Sequence, residues 1–164
     1  EVRNVSTWSS AVERGIVVMV KIIFLDIDGV LNTIRTAKIL GDHFIDESCV
    51  ALVAHIVKEA NAKIVLSSNW RIDEDDKKIV EKALSPHDLE IFDCTPVIEH
   101  PPNESFVFRS KEIQSWLDNN AVQKFVVLDD DPRADLQEGS FFQVDETIGL
   151  TMEITERAIA HLNA

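Results

Sequence analysis

Three short stretches of this chain combine residue types that could do chemistry on an anion. They are Asp26-Ile27-Asp28-Gly29, Ser67-Ser68-Asn69 and Asp129-Asp130-Asp131. Gathered at one place, they would bring together two to five carboxylates and a hydroxyl. Such crowding is costly without a cation. Oxygen donors without His or Cys suit a hard ion such as Mg²⁺, and carboxylate-held metals with spare waters commonly serve phosphate substrates. Each piece alone says little. Asp and Gly are frequent where strands turn, Ser-Ser-Asn commonly caps a helix, and acidic residues before a proline make an ordinary turn. The signal is their joint placement.

That placement follows from the elements around them. Val20–Leu25 is almost continuously apolar and β-branched, the pattern of a strand buried on both faces of a parallel sheet, and it stops at Asp26. Ala62–Leu66 is a second such strand, stopping at Ser67. Lys124–Leu128 is a fourth, stopping at Asp129. Leu89–Phe92 and Ser140–Val144 are expected as the third and fifth. Between them, Asp46 can cap a helix with its apolar stripe on Cys49, Val50, Leu52, Val53, Ile56, Val57 and Ala60. A polar helix is expected near Glu74–Leu84. A helix capped by Ser110 would carry Ile113, Trp116 and Leu117, and a last one Leu150, Ile154, Ala158 and Leu162. Ile27–Ile45 has no clear period and reads as a turn and an irregular flap; His100–Asn103, with two prolines, reads as a loop. The alternation predicts an α/β fold: a three-layer, Rossmann-like parallel sheet of about five strands with helices on both faces. In such sheets ligands bind beyond the carboxyl ends of the strands. All three polar stretches would share that rim.

Composition narrows the function. The chain has 164 residues, 16 basic and 29 acidic, with a net charge of −13. Broad binding to nucleic acid needs clustered Lys and Arg, and no such run occurs. The two cysteines, Cys49 and Cys94, form no CxxC or Cys/His spacing, so neither a disulfide framework nor a zinc site is supported; Cys49 is expected as a buried thiol. The apolar run before Asp26 is interrupted by Lys21 and is too short to span a bilayer, which makes a reducing cytoplasm the expected location. Residues 1–18 read as a leader, linker or appended segment, and 19–164 as the folded domain, because Met19 precedes the first clear strand.

At these residues the sequence resembles the haloacid dehalogenase (HAD) superfamily. Asp26-Ile27-Asp28-Gly29-Val30 resembles its first motif, Ser67 after Ile64-Val65-Leu66 its second, a basic residue opening the helix before the fourth strand its third, and Asp129-Asp130 its fourth. The chain is also similar to small bacterial HAD domains, some fused into RNA-repair proteins, which share Ser-Ser-x-Trp-Arg (Ser67–Arg71) and a late Gly-Leu-Thr (Gly149–Thr151). The resemblance implies that Asp26 is a nucleophile and Asp28 a general acid/base. It implies Mg²⁺ on Asp26, the Asp28 backbone carbonyl and Asp130 or Asp129. Ser67 would bind the phosphoryl group, with Ser68 and Asn69 beside it, and Lys111 or Arg109 would supply the neutralising cation. Trp70 and Arg71 stay outside that set, the first as a core residue and the second as a surface charge.

The segments between motifs are short, leaving little room for a folded cap. An open site would admit the phosphorylated end of a macromolecule, or a phosphorylated small molecule if a second subunit closes it in a homodimer. Two other readings stand beside this one: a phospho-accepting receiver-like module, and a degenerate member that binds metal or phosphate without turnover. Receivers place the accepting Asp on a middle strand, whereas here the acidic pair and the candidate nucleophile share the first.

Overall fold

In the computed structural model, residues 19–99 and 109–164 are described. The expected loop at His100–Asn103 and the segment 1–18 lie outside them. Five strands form one sheet: β1 (Val20–Leu25), β2 (Ala62–Leu66), β3 (Ile91–Cys94), β4 (Val122–Asp129) and β5 (Phe141–Gln143). Their order is β3-β2-β1-β4-β5, and every neighbouring pair is parallel. The helices are α1 (Ile34–Leu40), α2 (Glu47–Ala60), α3 (Glu74–Leu84), α4 (Arg109–Asp118) and α5 (Met152–Asn163).

Alternation along β1 sorts the core into two layers. Ile23 and Leu25 face Val53 and Ile56 of α2, Val80 and Leu84 of α3, and Ala158 and Leu162 of α5. Ile22 and Phe24 face Ile113 and Trp116 of α4. Phe24 meets the Trp116 ring edge-on at 5.4 Å between centroids, a geometry that aligns a positive ring edge with a negative face. With apolar partners on both sides, β1 has no polar position between Lys21 and Asp26. Hence the hydrophobic run Ile22–Leu25.

Several boundaries differ from the sequence reading. The flap contains α1, which the sequence did not suggest because it buries no residue. It is held instead by a capping box: the Thr33 hydroxyl accepts from the Thr36 backbone N–H, and Thr36 returns the bond to the Thr33 N–H. Strand β3 runs two residues later than Leu89–Phe92, since Leu89 is buried from a turn and not from the sheet. Ser110 lies inside α4 and does not cap it. Among the described residues the helix runs from Arg109, whose guanidinium stands 3.9 Å from Glu112 one turn on. Among the described residues no insertion is large enough to form a cap domain, and no helix is long and apolar enough to cross a membrane.

The Gly-Leu-Thr stretch ties the end of the chain to the loop after β1. Leu150 N–H donates to the Val30 carbonyl at 2.9 Å, and Thr151 caps α5. Gly149 is left-handed (φ +79°), and a Cβ there would lie 3.3 Å from the buried Cys49 Sγ, too close for comfort in a conformation that already favours glycine.

Candidate active site

From β1 the chain builds outward to β2 and β3 on one side, then crosses to β4 and β5 on the other. The direction reverses between β1 and β4, and a crevice opens there at the carboxyl ends of the strands. Register decides what occupies it. Leu25 pairs with both Leu66 and Leu128, so Asp26, Ser67 and Asp129 emerge side by side. Backbone bonds extend the ladder past the strand ends: Asp26 N–H to the Leu128 carbonyl (3.0 Å), Ser67 N–H to that of Leu25 (3.0 Å) and Val144 N–H to that of Asp129 (3.0 Å). The rim is therefore as rigid as the sheet.

Asp26, Asp129 and Asp130 each offer a carboxylate oxygen, and the three oxygens lie within 4.8 Å of one another. Asp26 and Asp129 are buried. Burial pushes Asp26 up to about 6, against the pull of the Arg109 charge, a hydrogen bond from Ser68 and the Ile27 N–H. Burial, then the neighbouring Asp26 charge, pushes Asp129 up to about 8. Asp130 is also raised, first by burial. The second oxygen of Asp129 is buried without any hydrogen-bond partner. A buried carboxylate oxygen that accepts no hydrogen bond, beside two more carboxylates, is the donor set a hard divalent cation satisfies. Gly29 makes the cluster possible. Its φ is +77°, and a Cβ there would sit 2.8 Å from Asp130 Cγ, closer than two carbons can approach.

These carboxylates set a pH dependence of folding. Each is an acid whose folded value is raised, so the folded chain holds protons that the unfolded chain has released near 3.8. Their stabilising protonation is complete below pH 4 and is lost as pH rises towards about 8. In chelator, the melting temperature should therefore contain a component that falls from pH 5 to pH 8. If these carboxylates hold a divalent cation, saturating Mg²⁺ should raise it more at pH 8, where protons no longer compete for the site. Calorimetry at both values, with and without Mg²⁺, checks this; an equal Mg²⁺ effect at both would contradict it.

The remaining sequence candidates divide. Ser67 Oγ is fully buried and has no hydrogen-bond partner. The Ser68 hydroxyl meets Asp26 and caps the short 3₁₀ turn Asn69–Arg71. Asn69 Oδ1 accepts from Arg109 Nη2 at 3.4 Å. Arg109 faces the carboxylates, its Nε 3.8 Å from Asp129 Oδ2. Lys111 lies on the exposed side of the same helix. Asp28 is exposed, yet both its oxygens are engaged: Oδ1 accepts from Asn32 Nδ2 (2.9 Å) and Oδ2 from Trp70 Nε1 (2.8 Å).

Homologous matching agrees with the geometry. The family of HAD domains in Swiss Army Knife RNA repair proteins matches residues 22–154. The chain belongs to this family. No curated protein and no solved structure gave a match. The matched span runs from within β1 into α5 and takes in all three polar stretches, and family membership supports a phosphatase-like role at the level of the superfamily.

Within this HAD domain, Arg71 is not the surface charge its sequence suggests. It is buried, donating to the carbonyls of Thr95 (2.8 Å), Ser68 (2.8 Å) and Pro96 (3.1 Å) and pairing with Glu112 at 2.7 Å. Glu112 in turn accepts from the Ile98 N–H and stands near Arg109. Removing one member would strand a buried charge, which typically costs about 3–5 kcal/mol. Arg71 thus fastens the Ser-Ser-Asn turn to the strand beside it, and Glu112 links that knot to Arg109. Glu112 had no signal in the sequence, because an acid three residues after an arginine usually marks a solvated helix face.

Proposed function

We propose that this domain is a phosphomonoesterase that works through a covalent phosphate on Asp26, with Mg²⁺ as cofactor. The observation that supports it most is the meeting of Asp26, Asp129 and Asp130 within 4.8 Å at the sheet's reversal point. Asp26, Asp129 and Asp130, with the Asp28 backbone carbonyl, would hold the ion. Bound there, a divalent cation supplies the positive charge that lets an anionic carboxylate approach an anionic phosphate.

An Asp26 carboxylate oxygen attacks phosphorus, forming the O–P bond as the bond to the leaving oxygen breaks; Asp28 gives that oxygen its proton. In the second step Asp28 takes a proton from water, the water oxygen attacks phosphorus, and the bond to Asp26 breaks. Ser67 Oγ, with no internal partner, is available to donate to a phosphoryl oxygen. Arg109 offsets charge on the others.

The substrate in this reading is a phosphorylated small molecule or the phosphorylated end of a macromolecule, an RNA end included, given the family's association with RNA repair proteins. The net charge of −13 disfavours a long nucleic-acid footprint on this domain alone. Phosphate release from an aryl phosphate tests the assignment. Release is expected with Mg²⁺ and should vanish with chelator, returning when the ion is restored. A wild-type chain inactive with every divalent ion would favour a binding module without turnover.

A further inference from the structure

Asp28 is exposed, and it lines a cleft of about 350 Å³ with Ala37, Asp42, His43, Trp70 and Asp76. An exposed aspartate ordinarily samples several rotamers. Here two donors hold it. Asn32 Nδ2 donates to Oδ1, while Asn32 Oδ1 accepts from the Gly29 N–H at 2.9 Å, so this amide is itself anchored to the turn after β1. From the other side of the crevice, the Trp70 indole donates to Oδ2 at 2.8 Å. The indole is fixed as well. Trp70 is buried in the main core and sits in the 3₁₀ turn capped by Ser68, between Asn69 and the buried Arg71.

Both donors are N–H groups that cannot accept a proton. Both bonds are donated to the carboxylate, one to each oxygen, so together they fix its orientation. We propose that Trp70 is a positioning residue: its indole N–H holds the Asp28 carboxyl where it can protonate the departing oxygen. The Ser-Ser-x-Trp-Arg stretch then serves two ends, its serines facing the phosphoryl group and its tryptophan the acid/base. This inference rests on the phosphomonoesterase reading above.

Leaving-group chemistry separates positioning from mere structure. A nitrophenolate departs without help from an acid, whereas an alkoxide needs its proton in the same step. The comparison is kcat/KM for 4-nitrophenyl phosphate and for an alkyl phosphate such as glycerol 2-phosphate, both in saturating Mg²⁺. Trp70→Phe keeps the ring and deletes the donor. It should lower kcat/KM for the alkyl ester by about tenfold and that for the aryl ester by less than about twofold. In an Asp28→Asn background the same substitution should no longer widen the difference between the two esters. If Trp70→Phe loses the native near-ultraviolet circular dichroism, benzothienylalanine at position 70, which exchanges N–H for sulfur in the same ring shape, carries the same comparison. Equal losses on both esters would overturn the positioning role and leave the phosphatase reading intact. A wild-type chain that hydrolyses neither ester would overturn both.

Discussion

Replacing Asp26 by Asn is expected to abolish phosphate release, by about ten-thousandfold or more, as removal of a nucleophile does when no neighbour can replace it. Asp129 and Asp130 are beside it, but they emerge from the next strand, and the register that places Asp26 opposite Leu128's successor is fixed by ladder bonds on both sides. Neither can slide into its place. The fold should survive. Asp26 is the largest charged contributor to the raised Asp129, so deleting one charge from the crowd relieves repulsion. The Asn variant should melt no lower than wild type in chelator, most clearly at pH 8. Loss of activity with unchanged or raised thermal stability is the combined result to look for, by phosphate assay and calorimetry on the same preparation. A variant that keeps even a tenth of wild-type turnover would move the nucleophile elsewhere.

Arg109→Ala should cost about a hundredfold in kcat/KM, the usual scale for one charge-stabilising donor in an enclosed site. Lys111→Ala should stay within about twofold. The sequence offers both residues as the cation, and the geometry favours one. Arg109 reaches inward from the first turn of α4, its side chain 14% exposed, between Asp129 and Glu112. Its charge lowers the pKa of both Asp26 and Asp129. Deleting it also takes a positive charge away from beside the proposed cation site, so added Mg²⁺ should not restore the lost activity. Kinetics of both variants across a Mg²⁺ titration check the two effects together. If Lys111→Ala proves the more damaging, the third-motif cation is the lysine, and Arg109 serves the buried Glu112 network instead.

The sheet and the rim were legible because burial writes plainly in β1, β2 and β4. Strands apolar on both faces leave a single polar residue to mark where each ends, and Asp26, Ser67 and Asp129 mark the same level of the sheet. What was not legible follows from interactions that leave no periodic trace. Helix α1 has no buried side chain, and its apolar Ile34, Ile39 and Leu40 are exposed, so no stripe announced it. Trp70 and Arg71 were visible as residue types, but only the folded turn shows one donating to Asp28 and the other buried against Glu112. Asn32 was hidden in a flap with no apparent period, although its side chain bridges the Gly29 N–H and Asp28. Long-range pairings of single polar residues are set by tertiary packing, and a local pattern cannot encode them.

The covalent step is open to direct chemical reading. An acyl phosphate caught during turnover is reduced by borohydride to an alcohol, which converts an aspartate into homoserine; peptide mass spectrometry then names the position. Quenching the wild-type chain in Mg²⁺ and excess aryl phosphate should yield homoserine at position 26, and no such product without substrate. Homoserine at position 28, 129 or 130 in its place, or steady turnover with no reducible adduct at all, would contradict a phosphoryl transfer through Asp26.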